Sequence, residues 1–393
     1  MAVYYVDPEN HTGTASDTVG GGTTTGNAYR NLSYALGDVV TTHSKGTYGD
    51  TFKMIGAYAP DPTEYSATNS ALLTYGNHCI LLSDGATAFG TSATSRAKIS
   101  GANNTTRAIE QTSVHNMSII GFELQNGNGG YTLITIGNYA NFHDLYVNQT
   151  DAGYSWVGGR VSYQVTNCYF KITLTTSWSG NGGPVIAGYT YHNVNNCIFD
   201  LTGDGFTGLG LACSSANFAN RFVNNTVYLK GNALGYVPNA ANVLVANNLF
   251  VCDSFSSNSG GVIGWAQFDD ARIVGNHFEN MQQAVGYATT TGTPTIQSER
   301  VIMTDNTYHN CSYVGENDPS TNNQTQWALT RNNVNLGTSG VIDAANGDLR
   351  PSLARVGTSN LANMPVAGAN WQLKTMAGNG VGVSTPTQYR PFG

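Results

Sequence analysis

The apolar positions of the chain recur in a short motif rather than in the stripe of a helix. A six-residue pattern, apolar at its first and sixth positions and Asn-like at its third, recurs at intervals of 22 to 30 residues. Its copies are Val114–Ile119, Phe142–Val147, Val165–Phe170, Val194–Phe199, Val223–Tyr228, Val245–Phe250, Ile273–Phe278, Met303–Tyr308 and Leu329–Val334. Short Val, Ile and Phe runs bounded by Asn, Gly, Ser and Thr are typical of strands ended by turns. A helical repeat would show apolar residues at i, i+3 and i+4 instead.

This repeat predicts a parallel β-solenoid with one coil per copy, because each unit is too small to bury its apolar face alone. Equivalent residues on adjacent coils then lie about 4.8 Å apart and like side chains stack. Asn and Asp at the third position tolerate the left-handed backbone of a tight turn. The predicted Asn ladder contains Asn167, Asn196, Asn225, Asn248, Asn276 and Asn306. The predicted aromatic column contains Phe170, Phe199, Tyr228, Phe250, Phe278 and Tyr308.

Four stretches resemble the right-handed parallel β-helices of the pectate-lyase-like superfamily, found in phage spike and decoration proteins and in polysaccharide lyases. They are the opening strand 4–8 with the capping segment 29–36, the first coil 50–58, a middle coil 116–124 and the closing segment 347–352. The resemblance implies an all-β, right-handed parallel β-helix. Residues 1–48 would form an N-terminal cap with a short helix over 29–40, residues 49–345 the solenoid, and residues 346–393 an irregular C-terminal cap, all in one structural unit.

Composition narrows the function classes. Charged residues are 10% of the 393, against about 25% in a typical soluble domain, and 43 Asn and 47 Gly replace them. A net charge of -7 argues against nucleic-acid binding, which needs clustered Lys and Arg. No run of apolar residues is long enough for a membrane span, and the first residues lack the pattern of a secretory signal, so synthesis in a host cytoplasm is expected.

Six cysteines are too few for a disulfide scaffold. Cys168 and Cys197 fall in the same register of consecutive copies, and buried free thiols are favoured there over a disulfide.

The candidates for catalysis are few. Family lyases, by the resemblance, need a calcium-binding carboxylate cluster and an Arg or Lys base, and hydrolases need two or three facing carboxylates. Asp269 and Asp270 are adjacent, so on a strand they would point to opposite faces, and a turn before the next strand is favoured. Glu279 and His309 fall one coil apart on the outer face. They could form an acid–base pair, but a surface charge ladder is the favoured interpretation. No metal site or cofactor is predicted. Ca²⁺ is an expected ligand only if the protein is a lyase.

Aromatic residues in the long loops offer a second kind of site. They either stack on sugar rings or anchor a subunit interface, where Tyr and Trp are enriched. These residues are Tyr154, Trp156, Trp178, Tyr189, Tyr191 and Trp265.

The main hypothesis is therefore a non-catalytic virion protein, such as a capsid decoration protein, head fibre or spike. It would form a homo-oligomer, with a trimer favoured, contact capsid or tail proteins, and bind surface glycans as a further ligand. The alternative is a polysaccharide lyase or glycoside hydrolase acting in the lateral groove of the β-helix, outside the cell or on a phage tail. A glycan-binding adhesin without catalysis is a third class. Neither nucleic acid nor membrane is an expected partner.

Overall fold

The computed structural model falls into two compact units, Met1–Tyr169 and Phe170–Gly393. It describes residues 2–17, 21–32, 34–35, 50–58, 79–83, 96–101, 109–126, 134–150, 157–174, 186–188, 192–203, 209–213, 221–231, 235–236, 243–264, 270–287, 298–314 and 325–351.

The first unit is a parallel β-solenoid with two sheets, here called A1 and B1. Its strands are β1 Val3–Val6, β2 Asp50–Met54, β3 Ala57–Tyr58, β4 Cys79–Ser83, β5 Lys98–Gly101, β6 Ile109–Ile120, β7 Glu123–Asn126, β8 Ile134–His143, β9 Tyr146–Thr150 and β10 Val157–Thr166. Sheet A1 has the order β1-β2-β4-β6-β8-β10, and sheet B1 has the order β3-β5-β7-β9. Neighbouring strands pair in parallel, so the chain passes from one sheet to the other once per coil.

The second unit repeats this plan, with sheets called A2 and B2. Its strands are β11 Tyr169–Leu174, β12 Ile186–Gly188, β13 His192–Asn195, β14 Ile198–Gly203, β15 Leu209–Cys213, β16 Arg221–Val223, β17 Thr226–Gly231, β18 Gly235–Tyr236, β19 Leu244–Ala246, β20 Leu249–Gly264, β21 Arg272–Val274, β22 His277–Tyr287, β23 Ser298–Thr304, β24 Thr307–Val314, β25 Thr325–Arg331, β26 Val334–Asn335, β27 Val341–Asp343 and β28 Asp348–Pro351.

Sheet A2 has the order β13-β16-β19-β21-β23-β25, and sheet B2 has the order β11-β14-β17-β20-β22-β24-β26. A third parallel set joins β12, β15 and β18. The pair β27–β28, beyond the last coil, is antiparallel. The predicted all-β parallel solenoid is thus confirmed.

Alternation along the strands creates the core of each unit, because successive side chains of a strand point to opposite faces. In the first unit Ile119, Phe142 and Val165 occupy matching positions of β6, β8 and β10 and are buried. In the second unit Phe170 stacks on Phe199 with ring centroids 4.9 Å apart. Phe250 stacks on Phe278 at 5.1 Å. The predicted aromatic column is present at these positions.

Tyr228 leaves the predicted column. Phe199 pairs with Val227, and Asp200 pairs with Tyr228, so Val227 takes the core position and Tyr228 faces outward. Its hydroxyl donates a 2.8 Å hydrogen bond to the carbonyl of Ala344. The physical reason is the doubled Asn before β17, which lets the six-residue pattern fit in two registers. The phenol, which needs a polar partner when buried, takes the outer one.

Two further copies of the motif are also shifted. Asn332 aligns with the turn residue Asp305, so the last copy is 330–335 rather than 329–334. In the first unit the turn residue is Gly121, aligned with Asp144, so the predicted copy at 114–119 lies five residues too early.

The turn between the two sheets uses two adjacent columns of residues. The first has left-handed φ angles of 54° to 68°. Its members are Asp144 and Asn167 in the first unit and, separately in the second unit, Asn196, Asn224, Asn247, Gly275, Asp305 and Asn332. The second contains buried amides in an unbroken hydrogen-bond chain. Its side-chain donors and acceptors are Asn225 to Asn248 (3.2 Å), Asn248 to Asn276 (2.9 Å), Asn276 to Asn306 (3.0 Å) and Asn306 to Asn333 (2.9 Å). The predicted ladder therefore divides, with Asn167 and Asn196 in the turn column and the other four in the amide chain.

The N-terminal residues contain short turns beside β1. Thr25–Asn27 forms a 3₁₀ turn. The N–H of Ala35 donates to the carbonyl of Asn31 at 3.0 Å, which closes one helical turn, and most of the helix predicted over 29–40 lies outside the described residues. Within the described ranges, no helix has the length and apolar character needed to cross a bilayer. The predicted boundaries at 48/49 and 345/346 stay predictions.

Candidate functional site

The candidate site lies on the outer face of sheet B2, where β22 and β24 pair. His277 aligns with Thr307, and Glu279 aligns with His309. His277 and Glu279 are two residues apart on one strand, so both point outward while Phe278 points into the core. The two-residue period of the strand is what brings an imidazole and a carboxylate side by side.

Both carboxylate oxygens of Glu279 are occupied. Oε1 lies 3.0 Å from Nδ1 of His309. Oε2 lies 2.8 Å from Nε2 of His277 and accepts a 2.9 Å hydrogen bond from the N–H of Gly340. An ionised carboxylate only accepts hydrogen bonds, so both imidazole nitrogens that face it carry protons. The other nitrogen of His277 lies 2.9 Å from the hydroxyl of Thr307.

The cluster is closed to solvent on one side and open on the other. The side chains of His277 and Glu279 are 0% and 1% exposed, whereas that of His309 is 25% exposed. Burial alone would raise the pKa of Glu279, but the hydrogen bond and charge of His277, with Ser339 and Gly340, lower the pKa below its ordinary value. Glu279 is therefore an ionised carboxylate that is buried away from solvent.

The closing element is residues 336–349, called the cover segment here. A Cβ on Gly340 would overlap Cε1 of His277, so only glycine permits this approach. Val341 and Leu349 of the segment are buried. The carbonyl of Ala344 accepts the bond from Tyr228 described above. Glu279 thus joins three elements, namely β22, β24 and the cover segment.

The arrangement leaves His309 with a chemically useful atom. Its Nδ1 is held by Glu279, and its Nε2 has no hydrogen-bond partner among the described residues. A carboxylate behind an imidazole fixes the tautomer and stabilises the protonated ring, which is the support a general acid or base needs. The charge-ladder interpretation is wrong for Glu279, because this residue is buried. An acid–base role for the pair stays a prediction.

The other predicted site residues do not join this cluster. Asp270 lies in a left-handed turn with φ of 55°, directly before Ala271 and β21. Cys168 and Cys197 are buried thiols, as predicted. The remaining candidates, Asp269, Tyr154, Trp156, Trp178, Tyr189, Tyr191 and Trp265, lie outside the described residues.

Two members of the cluster were not predicted. His277 is not among the sequence candidates, although its spacing of two from Glu279 is a signal that strand alternation could have used. Gly340 has no comparable signal, because it contacts a residue 61 positions away.

The calcium expected with lyase activity stays a prediction. In the ranges that the structure describes, no three His, Cys, Asp or Glu side chains converge as metal ligands.

Comparisons with known proteins find likeness only at the level of structure. No family model and no curated protein matches the chain. A GH136 lacto-N-biosidase from Eubacterium ramulus is similar over 85% of this chain and 68% of its own, with 9% identity and a TM-score of 0.48. A rhamnogalacturonan lyase is similar over 75% of this chain and 84% of its own, with 14% identity and a TM-score of 0.39. With identities and TM-scores this low, neither similarity indicates the function of this chain.

Proposed function

We propose that the protein is a polysaccharide lyase in which His309 acts as the Brønsted base. The observation that supports this is the carboxylate-held imidazole, with Glu279 3.0 Å from Nδ1. The imidazole is partly exposed, whereas the carboxylate behind it is buried and ionised. The site of action would be outside the cell or on a virus particle.

In this reaction the ring nitrogen removes the proton next to the carboxylate of a uronic acid residue. The electron pair of that C–H bond forms a carbon–carbon double bond as the adjacent carbon–oxygen bond breaks. The glycosidic oxygen leaves with the next sugar and takes a proton from water. Nε2 holds the abstracted proton, and Glu279 balances the charge of the imidazolium. Proton abstraction beside a carbonyl requires one oriented base. A glycoside hydrolase needs two carboxyl groups that flank one bond. Lyase activity is therefore favoured over hydrolysis.

A non-catalytic virion component is the second candidate function, favoured by a different property of the same cluster. The carboxylate of Glu279 ties the cover segment down on sheet B2 through Gly340. A solenoid with a fixed outer covering suits a rigid particle protein that contacts capsid or tail proteins. In that case His309 would serve only to complete the hydrogen bonding of Glu279.

Incubation of the full chain with a panel of acidic and neutral polysaccharides separates the two candidates. Lyase action gives both new reducing ends and the ultraviolet absorbance of unsaturated sugars. Hydrolysis gives reducing ends alone. Calcium chloride and a chelator are compared in parallel, because a calcium requirement is part of the lyase prediction. If no polymer is cut in any condition, the enzymatic proposal fails and the particle protein takes its place.

A further inference from the structure

A second surface of the second unit has unusual chemistry and lies outside the cluster described above. The strands β16, β19, β21, β23 and β25 of sheet A2 pair in register. Phe222, Val245, Ile273 and Met303, in the middle of the first four strands, are buried in the core. The residues on either side of these positions therefore face outward. They form two columns, one of Arg221, Leu244, Arg272, Ile302 and Leu329, the other of Val223, Ala246, Val274, Thr304 and Arg331.

These ten residues, here called the basic–aliphatic face, contain no Lys, Asp or Glu. Arg221, Arg272 and Arg331 are exposed, and within the described ranges none of the three has an ion pair. Leu329 is 41% exposed. The other aliphatic residues of the face are half-buried, and Thr304 is buried. Protein interfaces are enriched in Arg and depleted in Lys, Glu and Asp. The corresponding face of sheet A1 differs, since its exposed residues include the polar Asn141 and Gln164.

The order of residues makes this face complementary to itself. Each strand has at most one Arg, and its other outward position is aliphatic in every case: Arg221 with Val223, Arg272 with Val274, and Arg331 with Leu329. Two copies can pack face to face about a two-fold axis parallel to the solenoid axis. The strands of one copy then run opposite to those of the other, and the first column meets the second. Every Arg lies against an aliphatic side chain, and no two Arg face each other.

The polar edge of the face agrees with such a contact. Asp270 precedes β21, and Asp305 follows β23, each in a left-handed turn. Carboxylates therefore lie at both edges of the face, as in the polar rim of an interface. Closed two-fold pairs are the commonest oligomers, and each uses one patch twice.

We propose that the basic–aliphatic face is the surface through which a second copy of this chain binds. The occupant is a protein with the same chemistry rather than a polysaccharide, because the face offers aliphatic side chains and no aromatic ring. This surface is separate from His309, so the proposal stands or falls independently of the lyase activity.

The test is the mass of the full chain in solution at micromolar concentration, measured by light scattering or sedimentation. We expect the wild type to be a dimer and the variants Leu244→Glu and Arg272→Glu to be monomers. The control Gln164→Glu, on the outer face of sheet A1, should remain a dimer. Circular dichroism and thermal unfolding verify that each variant is folded.

Three results would overturn the proposal. The first is a wild type that is monomeric at every concentration. The second is a wild type that is dimeric together with Leu244→Glu and Arg272→Glu variants that are also dimeric. The third is a monomeric wild type that binds an acidic polysaccharide, with the binding lost in Arg272→Glu. That last result would assign the face to a carbohydrate.

Discussion

The N–H of Gly340 donates a 2.9 Å hydrogen bond to Oε2 of Glu279, which joins the cover segment to a strand 61 positions earlier. The other oxygen of the same carboxylate orients His309. Glu279 therefore holds the cover segment with one carboxylate oxygen and orients the imidazole of His309 with the other. Substitutions on either side of Glu279 separate the two roles.

Gly340 is expected to tolerate no side chain. In Gly340→Ala the new methyl group would meet the ring of His277, and overpacking of this kind costs about 1–3 kcal/mol. Gly337→Ala is the matched control, because a Cβ at Gly337 meets nothing within 4 Å. Urea unfolding of both variants measures the difference in the free energy of unfolding. Equal stabilities would show that the cover segment does not pack against His277.

The amide chain is expected to contribute strongly to stability. In Asn276→Ala the backbone and side-chain N–H groups of Asn248 lose the oxygen to which both donate. Unsatisfied buried donors cost about 1–3 kcal/mol each, so the loss of two should lower the free energy of unfolding by about 2–6 kcal/mol. Asn141→Ala, at an exposed amide, should change it by about 0.5 kcal/mol or less. Comparable losses in the two variants would contradict a structural role for the ladder.

Stability should depend on the ionisation of Glu279. The pKa of Glu279 is lowered in the folded protein from its ordinary value of 4.5, so the carboxylate stabilises the fold above that pH. This contribution is lost as the pH falls through the folded pKa. Unfolding of the wild type and of Glu279→Gln from neutral pH into the acid range tests this sign. The advantage of the wild type should shrink below pH 4.5, and an advantage that grows in acid would contradict it.

Cys311 should resist thiol reagents while the protein is folded. Burial, the largest effect, and the charge of Glu279 raise the pKa of the thiol to about 12, although hydrogen bonds to Met281 and His309 lower it. Because the thiolate is the reactive form, alkylation at mildly alkaline pH should leave Cys311 unmodified until urea is added. Mass spectrometry of the digested protein reads the extent at this residue. Labelling of the folded protein at the rate of the unfolded chain would show that the thiol is accessible.

Much of the fold could be predicted because the apolar alternation and the turn residues recur on every coil. The register was ambiguous where two Asn stand together, as at Asn224 and Asn225, and there the placement of Tyr228 was wrong. Burial of its ring with a polar partner on the cover segment decided the register, and that partner is distant in sequence. The same limit applies to the site. The pairing of Glu279 with His309 follows from coil spacing, whereas the closure by Gly340 depends on a long-range contact that no local pattern specifies.

The most direct test of the proposed activity is the rate at which unsaturated sugar ends form from acidic polysaccharides. The rate is compared among the wild type, His309→Ala and His143→Ala. His143 is an exposed histidine whose Nδ1 contacts the hydroxyl of Thr166 rather than a carboxylate, which makes it the matched control. We predict that the wild type and His143→Ala cut at least one polymer at similar rates, and that His309→Ala loses about 10²–10⁴-fold in rate. Cleavage at the wild-type rate by His309→Ala would contradict the proposal.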